Sequence, residues 1–256
     1  MLEKNTLPLY LMACRQAVSL GKKGNYAIVI TKLSSLQGEM ERDILQSGEY
    51  SKELLNLYLY VFIKLYEARY HANKNDEQIE MQFRSSFDFL SSLPENMHTR
   101  SALCHLSMFH SFHMRYHSHS QEAILEDIEH THDMLVKTSR SDHLDNSPMY
   151  SQFLVESAIY VEKKKLKNAG ALLNLFEEAL LYLDVYCSID NVHLLYRYFS
   201  IRHKALWGKA RCHLRMHETR IGLLTLLHAV HCRLNAFALY PVYRFSKPLY
   251  KKGDAL

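Results

Sequence analysis

The stretch Leu166–Leu183, LKNAGALLNLFEEALLYL, decides the fold of this chain. Leu172, Phe176 and Ala179 follow one another at i, i+4 and i+7, which is the spacing of one apolar stripe on an α-helix. The stretch therefore predicts a helix that packs this stripe against a neighbouring helix.

The same stripe recurs four more times along the chain, with residues of similar size. The recurrences are Val29/Leu33/Leu36, Ile79/Phe83/Ser86, Ile124/Ile128/Thr131 and Gly222/Leu226/Ala229. Taken in order with Leu172, their first residues lie 50, 45, 48 and 50 residues apart. A near-constant step of this size is typical of helical hairpins stacked into an array. The sequence thus predicts an all-α fold, an α-solenoid of about five antiparallel helical hairpins.

Breaks in the helical pattern divide the chain into five pairs of helices. The predicted pairs are Leu7–Leu20 with Tyr26–Asp43, Glu53–Ala72 with Asp76–Leu93, Ser101–Tyr116 with Ser120–Lys137, Pro148–Lys165 with Asn168–Cys187, and Val192–Met216 with Thr219–Asn235.

The end of the chain departs from this pattern. After Asn235 the helical period lapses, and Pro241 and Pro248 lead us to expect that no continuous helix follows. We therefore expect a helical-repeat domain over 1–235 and a tail over 236–256 that caps the array or anchors a partner. The expected anchors of the tail are Tyr240, Tyr243 and Phe245.

Composition narrows the class of protein. Of 256 residues, 48% are hydrophobic, and the small numbers of glycine (8) and proline (5) favour long helices. The net charge of +4 is smaller and more evenly mixed than is usual for a dedicated nucleic-acid binder. Five cysteines without a pattern indicate reduced, buried thiols and a cytoplasmic protein. No uninterrupted apolar run reaches about 18 residues, so we expect no membrane span.

Several short motifs resemble the tetratricopeptide repeat. Gly24-Asn25-Tyr26 resembles the glycine-x-tyrosine turn of that family, the recurring stripe is similar to its second helix, and Trp207-Gly208 is similar to part of its first helix. The family repeats at about 34 residues, whereas this chain repeats at 45–50, and no complete consensus is present. The resemblance implies a right-handed, long-helix variant of the fold that binds proteins as an adaptor or regulator. The period alone also fits HEAT-like repeats.

A basic stripe runs along the first helix of the fifth pair. It consists of Arg197, Lys204, Arg211 and Arg215, which repeat at 7, 7 and 4 residues beside the apolar stripe of that helix. The resemblance implies that first helices line the concave groove, where these cations would meet an acidic peptide or a carboxylate terminus. The alternative is a solvated flank.

Three histidines share one face of the fifth predicted helix. His110, His113 and His117 lie at i, i+3 and i+7, and Glu126 across the following turn lies at a depth that can complete a metal site. The alternative interpretation is a solvated polar face.

Motifs that would indicate catalysis are missing from the sequence. It contains no glycine-rich phosphate loop, nucleophile elbow, HExxH or CxxC. We therefore predict a non-enzymatic scaffold or regulator, without a cofactor, that binds a peptide or helix of a partner protein or forms a homodimer. The alternatives are a helical metalloprotein or enzyme that uses the histidines, and a basic helical-repeat RNA binder.

Overall fold

A computed structural model describes residues 3–21, 24–48, 50–73, 76–116, 120–141, 148–186 and 192–253. The described ranges contain ten α-helices and no strand. The helices are α1 (Glu3–Gly21), α2 (Tyr26–Ser47), α3 (Lys52–Asn73), α4 (Asp76–Ser92), α5 (Met97–Tyr116), α6 (Gln121–Ser141), α7 (Met149–Lys163), α8 (Ala169–Tyr186), α9 (Val192–Arg215) and α10 (Thr219–Gly253). They form two compact units, Met1–Asp127 and Ile128–Ala255.

The all-α prediction and the register of the repeated stripe are both confirmed. The five stripes fall on α2, α4, α6, α8 and α10, which are the second helices of the predicted pairs. Every stripe residue is buried except Leu226, which is half-buried. The apolar spacing therefore identified the face that each second helix turns towards its neighbours.

The first unit combines an apolar core with buried polar groups that are hydrogen-bonded to one another. Phe62 of α3 and Phe83 of α4 meet edge-to-face with ring centroids 5.0 Å apart. Beside them, the Gln37 amide of α2 donates to the hydroxyl oxygens of Tyr58 and Ser86, both at 2.9 Å. This cluster explains why Ser86 occupies a stripe position that is otherwise apolar, since its hydroxyl has partners inside the core.

In the second unit, the Phe176 ring of α8 fits against the backbone of α9 at Gly208. Phe176 is fully buried, and a Cβ atom added at Gly208 would overlap its ring. Glycine is therefore required at position 208 for close approach, although the residue lies inside a helix. The pair sets the distance between α8 and α9.

Three hairpin turns share one geometry. Two or three residues after the first helix ends, one residue adopts a left-handed conformation: Gly24 (φ 79°), Lys165 (φ 58°) and His217 (φ 63°). In each turn the next backbone N–H bonds to a carbonyl five residues earlier: Asn25 to Leu20, Leu166 to Val161, and Glu218 to His213. This bond pattern satisfies carbonyls that the helix end leaves open. Its recurrence in both units is independent support for a repeated hairpin.

The cysteine prediction holds for the described part of the chain. Cys14, Cys104, Cys212 and Cys232 are buried, and none of these four forms a disulfide bond. Cys187 lies outside the described residues.

The prediction that the last helix ends near Asn235 is wrong. α10 runs for 35 residues from Thr219 to Gly253 and contains both Pro241 and Pro248. Proline has a helical φ and forfeits only its own N–H bond and the fit to the preceding turn. Stacking of Tyr243 on Tyr196 of α9, with ring centroids 4.2 Å apart, helps to hold the helix past Pro241. The predicted boundary between 235 and 236 therefore falls inside one helix.

Replacing Phe176 with alanine should lower the free energy of unfolding by about 3–5 kcal/mol, because a large cavity would open between α8 and α9. Leu181→Ala is the matched control, since Leu181 lies on the same helix and is more than half exposed. The control should change stability by less than about 0.5 kcal/mol. Chemical denaturation measures both, and a loss below about 1 kcal/mol for Phe176→Ala would contradict the packing described.

Gly208→Ala should destabilise the protein by roughly 1–3 kcal/mol, because the added methyl group overlaps the Phe176 ring. Gly38→Ala in α2 is the control, since its Cβ would have no neighbour within 4 Å. The control should stabilise by about 0.5–1 kcal/mol through helix propensity. Equal effects of the two substitutions would show that α8 and α9 are not in close contact at Gly208.

Candidate partner-binding surface

α10 packs on α9 through a face of small residues. Its buried members up to position 236 are Gly222, Thr225, Ala229, Cys232 and Ala236. At Gly222 a Cβ atom would press on the side chain of Leu214, and the carbonyl of Ala229 accepts a hydrogen bond from His203 at 2.9 Å. The small residues therefore bring α10 close to α9 and fix which side of α10 points outwards.

The opposite side of α10 is apolar and exposed. Its residues are Leu223, Leu227, Val230, Leu234 and Phe237, and we call them the α10 apolar face. Leu227 is 66% exposed and Phe237 is 77% exposed. Successive members lie 4, 3, 4 and 3 residues apart, which is the 3.5-residue repeat of a helix-to-helix seam.

The flanks of this face carry positive charge without any acid. Between Thr219 and Tyr243 the charged residues are Arg220 and Arg233, and two histidines, His228 and His231, lie beside them. All four side chains are exposed. The surface therefore favours a partner that combines apolar groups with negative charge.

The segment Thr219–Tyr243 is also long and apolar enough to cross a membrane, judged by length and composition alone. The mean hydropathy of its most apolar 18 residues reaches 1.3, and 22% of these residues are buried. The expectation of no membrane span was based on uninterrupted apolar runs, and this segment is not such a run because arginines and histidines interrupt it.

The basic stripe of α9 faces α7. Arg197 donates to Gln152 at 2.9 Å, Lys204 to Glu156 at 2.6 Å, and Arg211 to Glu162 at 2.9 Å through Nε. Arg215 lies 3.1 Å from the same Glu162 carboxylate. Each of the four predicted groove residues is thus held by a residue of α7. A ligand at this stripe would share these cations with α7.

Two surface grooves contain the stripe residues. Arg197 and Lys204 line a groove of about 460 Å³ between α9 and α10, which Phe237 of the α10 apolar face borders. Arg211 and Arg215 line a second groove of about 610 Å³ together with Lys163, Lys165 and Lys167. The second groove has five cationic side chains around the carboxylate of Glu162, and Glu129 pairs with one of them, Lys167, so the net charge there remains positive.

The predicted anchors of the tail differ in how far their side chains are buried. Tyr243 is half-buried and stacks on Tyr196, whereas Tyr240 is 45% exposed with its ring centroid 6.0 Å from that of Tyr196. The side chain of Phe245 lies outside the described residues. Tyr240 and Tyr243 thus sit where the small-residue face of α10 continues along α9.

The histidine face of α5 forms a partly buried polar cluster in the first unit. His110 Nδ1 lies 2.8 Å from Asp127 of α6, and its Nε2 lies 3.2 Å from Glu80 of α4. His113 is buried, with Nε2 3.5 Å from Glu80 and Nδ1 3.0 Å from the hydroxyl of Tyr66 of α3. Four helices therefore meet in one chain of polar contacts, so this face is not the solvated one of the alternative interpretation.

The carboxylate beside His110 differs from the predicted one. Glu126 is exposed, and its neighbour Asp127 is the α6 residue that reaches the imidazole. His117 lies outside the described residues. Among the residues that the structure describes, no group of three or more His, Cys, Asp or Glu is arranged to hold a metal ion.

Two carboxylates change the protonation of His110. Burial lowers its pKa, but hydrogen bonds to Asp127 and Glu80 more than offset this and raise the pKa to about 9, against an ordinary value of 6.5. His110 is therefore protonated at neutral pH and links two carboxylates across α4, α5 and α6.

The spacing of apolar residues predicts the α10 apolar face, but nothing in the sequence predicts that Glu80 and Tyr66 contact the histidines of α5. The 4-3-4-3 spacing lies in the open sequence, beside the Gly222/Leu226/Ala229 stripe that sequence analysis singled out. Glu80 and Tyr66 belong to helices that sequence spacing does not connect to α5.

Comparison of the chain with protein-family models, with curated proteins and with solved structures gives no match.

The His110 cluster should make stability depend on pH. Because the folded-state pKa of about 9 exceeds 6.5, the stabilisation is complete below pH 6.5 and is lost as the pH rises through 9. Asp127→Asn should lower the free energy of unfolding by roughly 1–3 kcal/mol near pH 6.5, and this difference should shrink towards pH 10. Urea denaturation across this range measures it.

Glu126→Gln is the control for this experiment, because Glu126 is adjacent and exposed. It should change stability by a few tenths of a kcal/mol at every pH. A difference between wild type and Asp127→Asn that stays constant from pH 6.5 to 10 would contradict the coupling to His110.

Proposed function

We propose that this protein is a non-enzymatic interaction scaffold that binds a helix of a partner protein. The observation that carries the proposal is the α10 apolar face, where five large apolar residues are exposed along one side of a single helix. Contiguous exposed apolar surface of this kind marks interaction sites on soluble proteins. A helix that binds there would bury these residues and gain the free energy of their transfer from water.

Array architecture gives further support. Stacked helical repeats bury the apolar faces of their helices against the next repeat, and α10 presents an apolar face that no described helix covers. A right-handed, tetratricopeptide-like arrangement in the cytoplasm is part of the proposal. In such scaffolds the hairpins hold a surface in place, and the partner provides the missing cover.

The grooves along α9 extend the proposed surface. The groove that contains Arg197 and Lys204 is bordered by Phe237, so it adjoins the α10 apolar face. A partner segment that continues beyond its helix would enter this groove with acidic side chains or a carboxylate terminus. To bind there, the partner must replace the contacts of Arg197 with Gln152 and of Lys204 with Glu156.

The double variant Leu227→Gln plus Leu234→Gln tests the proposal. Both side chains are exposed, so the melting temperature should stay within about 2 °C of wild type. Quantitative affinity capture from cells should lose the partners that wild type retains, by roughly tenfold or more, because the apolar contacts are removed.

The control is Leu181→Gln plus Val185→Gln on α8, where both residues are likewise more than half exposed. This variant should capture the same partners as wild type. Capture that survives the α10 substitutions, or that is lost equally in the control, would overturn the proposal.

A further inference from the structure

We propose that the partner is an amphipathic helix with acidic flanks, and that it lies on α10 as α9 lies on α8. This inference rests on the proposed function and specifies the chemistry of the partner. It follows from three observations: an internal correspondence between α8 and α10, the spacing of the α10 apolar face, and the charges beside that face.

The 50-residue repeat aligns α8 with α10. Leu172, Phe176 and Ala179 correspond to Gly222, Leu226 and Ala229, and each triplet lies at the same place in its hairpin. With the same shift, Glu177, Leu180 and Asp184 of α8 correspond to Leu227, Val230 and Leu234 of α10.

On α8, the side defined by these residues carries the next helix. Glu177 accepts a hydrogen bond from Lys209 of α9 at 2.7 Å, and Asp184 accepts one from Tyr198 of α9 at 2.8 Å. Leu180 packs against the cluster that contains Leu206 of α9. The side of α8 that corresponds to the α10 apolar face is thus a helix-binding side.

On α10, the corresponding side has leucine where α8 has acids. Leu227 and Leu234 replace Glu177 and Asp184, so the polar pairs that join α8 to α9 give way to apolar contacts. In the described part of the chain no helix covers these leucines, which are 66% and 62% exposed. The 3.5-residue spacing suits a second helix that inserts its own apolar residues between them.

The charges beside the α10 apolar face indicate which kind of partner helix binds there. Arg220 and Arg233 are the charged residues of Thr219–Tyr243, and the segment contains no acid. A helix with glutamate beside its apolar seam gains attraction from both arginines, whereas lysine at the same positions is repelled. A second copy of α10 would bring identical cations together. The observations therefore favour an acidic helix from another protein over self-association.

Two synthetic helices test the inference on the full-length protein. Each has about four heptads with leucine at the seam, and they differ only in glutamate or lysine at the flanking positions. Fluorescence anisotropy should show that the glutamate peptide binds roughly tenfold more tightly than the lysine peptide at low salt, with the difference shrinking at high salt. Arg220→Glu plus Arg233→Glu should reverse the preference, and Leu227→Gln plus Leu234→Gln should abolish binding of both peptides.

Several results would overturn the inference. Equal binding of the two peptides would reject the acidic partner and leave helix binding intact. If neither peptide binds while cellular capture still depends on Leu227 and Leu234, the proposed function stands and this inference fails. A dimer in light scattering that the α10 substitutions dissociate would identify a second copy as the occupant. Co-sedimentation with phosphatidylglycerol vesicles, lost in the same variant and without peptide binding, would identify a membrane surface.

Discussion

The close approach of Phe176 to Gly208 is the constraint on which the second unit depends. The aromatic ring fills the space that a side chain at 208 would need, so α8 and α9 can approach only because that position is glycine. α9 in turn offers the surface on which the small-residue face of α10 rests, through Gly222 and Ala229. The orientation of the α10 apolar face therefore depends on one aromatic contact two helices away.

Polar and ionic pairs between α7 and α9 have a different role from the one that the sequence suggests. Arg197, Lys204 and Arg211 are each matched to a residue of α7, and most of these pairs are partly exposed. Such pairs contribute little stability individually, but they fix the register between the helices and order the cations along the grooves. Glu162 differs, because it is buried and satisfies both Arg211 and Arg215.

Helices and their buried faces could be predicted from the sequence, because burial of one helix face places apolar residues at regular spacing along a continuous stretch of chain. The stripe around Phe176 needed no knowledge of its neighbours. The site could be predicted less well, since contacts between helices depend on rotation as well as depth. Glu126 and Asp127 lie at nearly the same depth, yet one residue turns a helix by about 100°, and this rotation directs Asp127 alone to His110.

The end of the chain shows a second limit of sequence analysis. Pro241 predicts a local stop, whereas the contact that stabilises the helix beyond it comes from Tyr196 on another helix, which the local sequence does not reveal. The exposure of the α10 apolar face is not predictable from the sequence for a related reason. Apolar residues at helical spacing indicate a buried face, whether the helix that covers it belongs to the chain or to a partner.

The left-handed conformation of Lys165 lowers the stability of its turn, while the lysine side chain adds positive charge to a groove. Glycine would adopt this conformation without steric cost, whereas a residue with a Cβ atom loses on the order of 1 kcal/mol. The lysine side chain, however, contributes one of the five cations that line the larger groove. The turn thus keeps a positive charge in the groove and accepts a strained backbone conformation. Replacing Lys165 with glycine would relieve the strain and remove the charge, without disturbing the packing of α7 on α8.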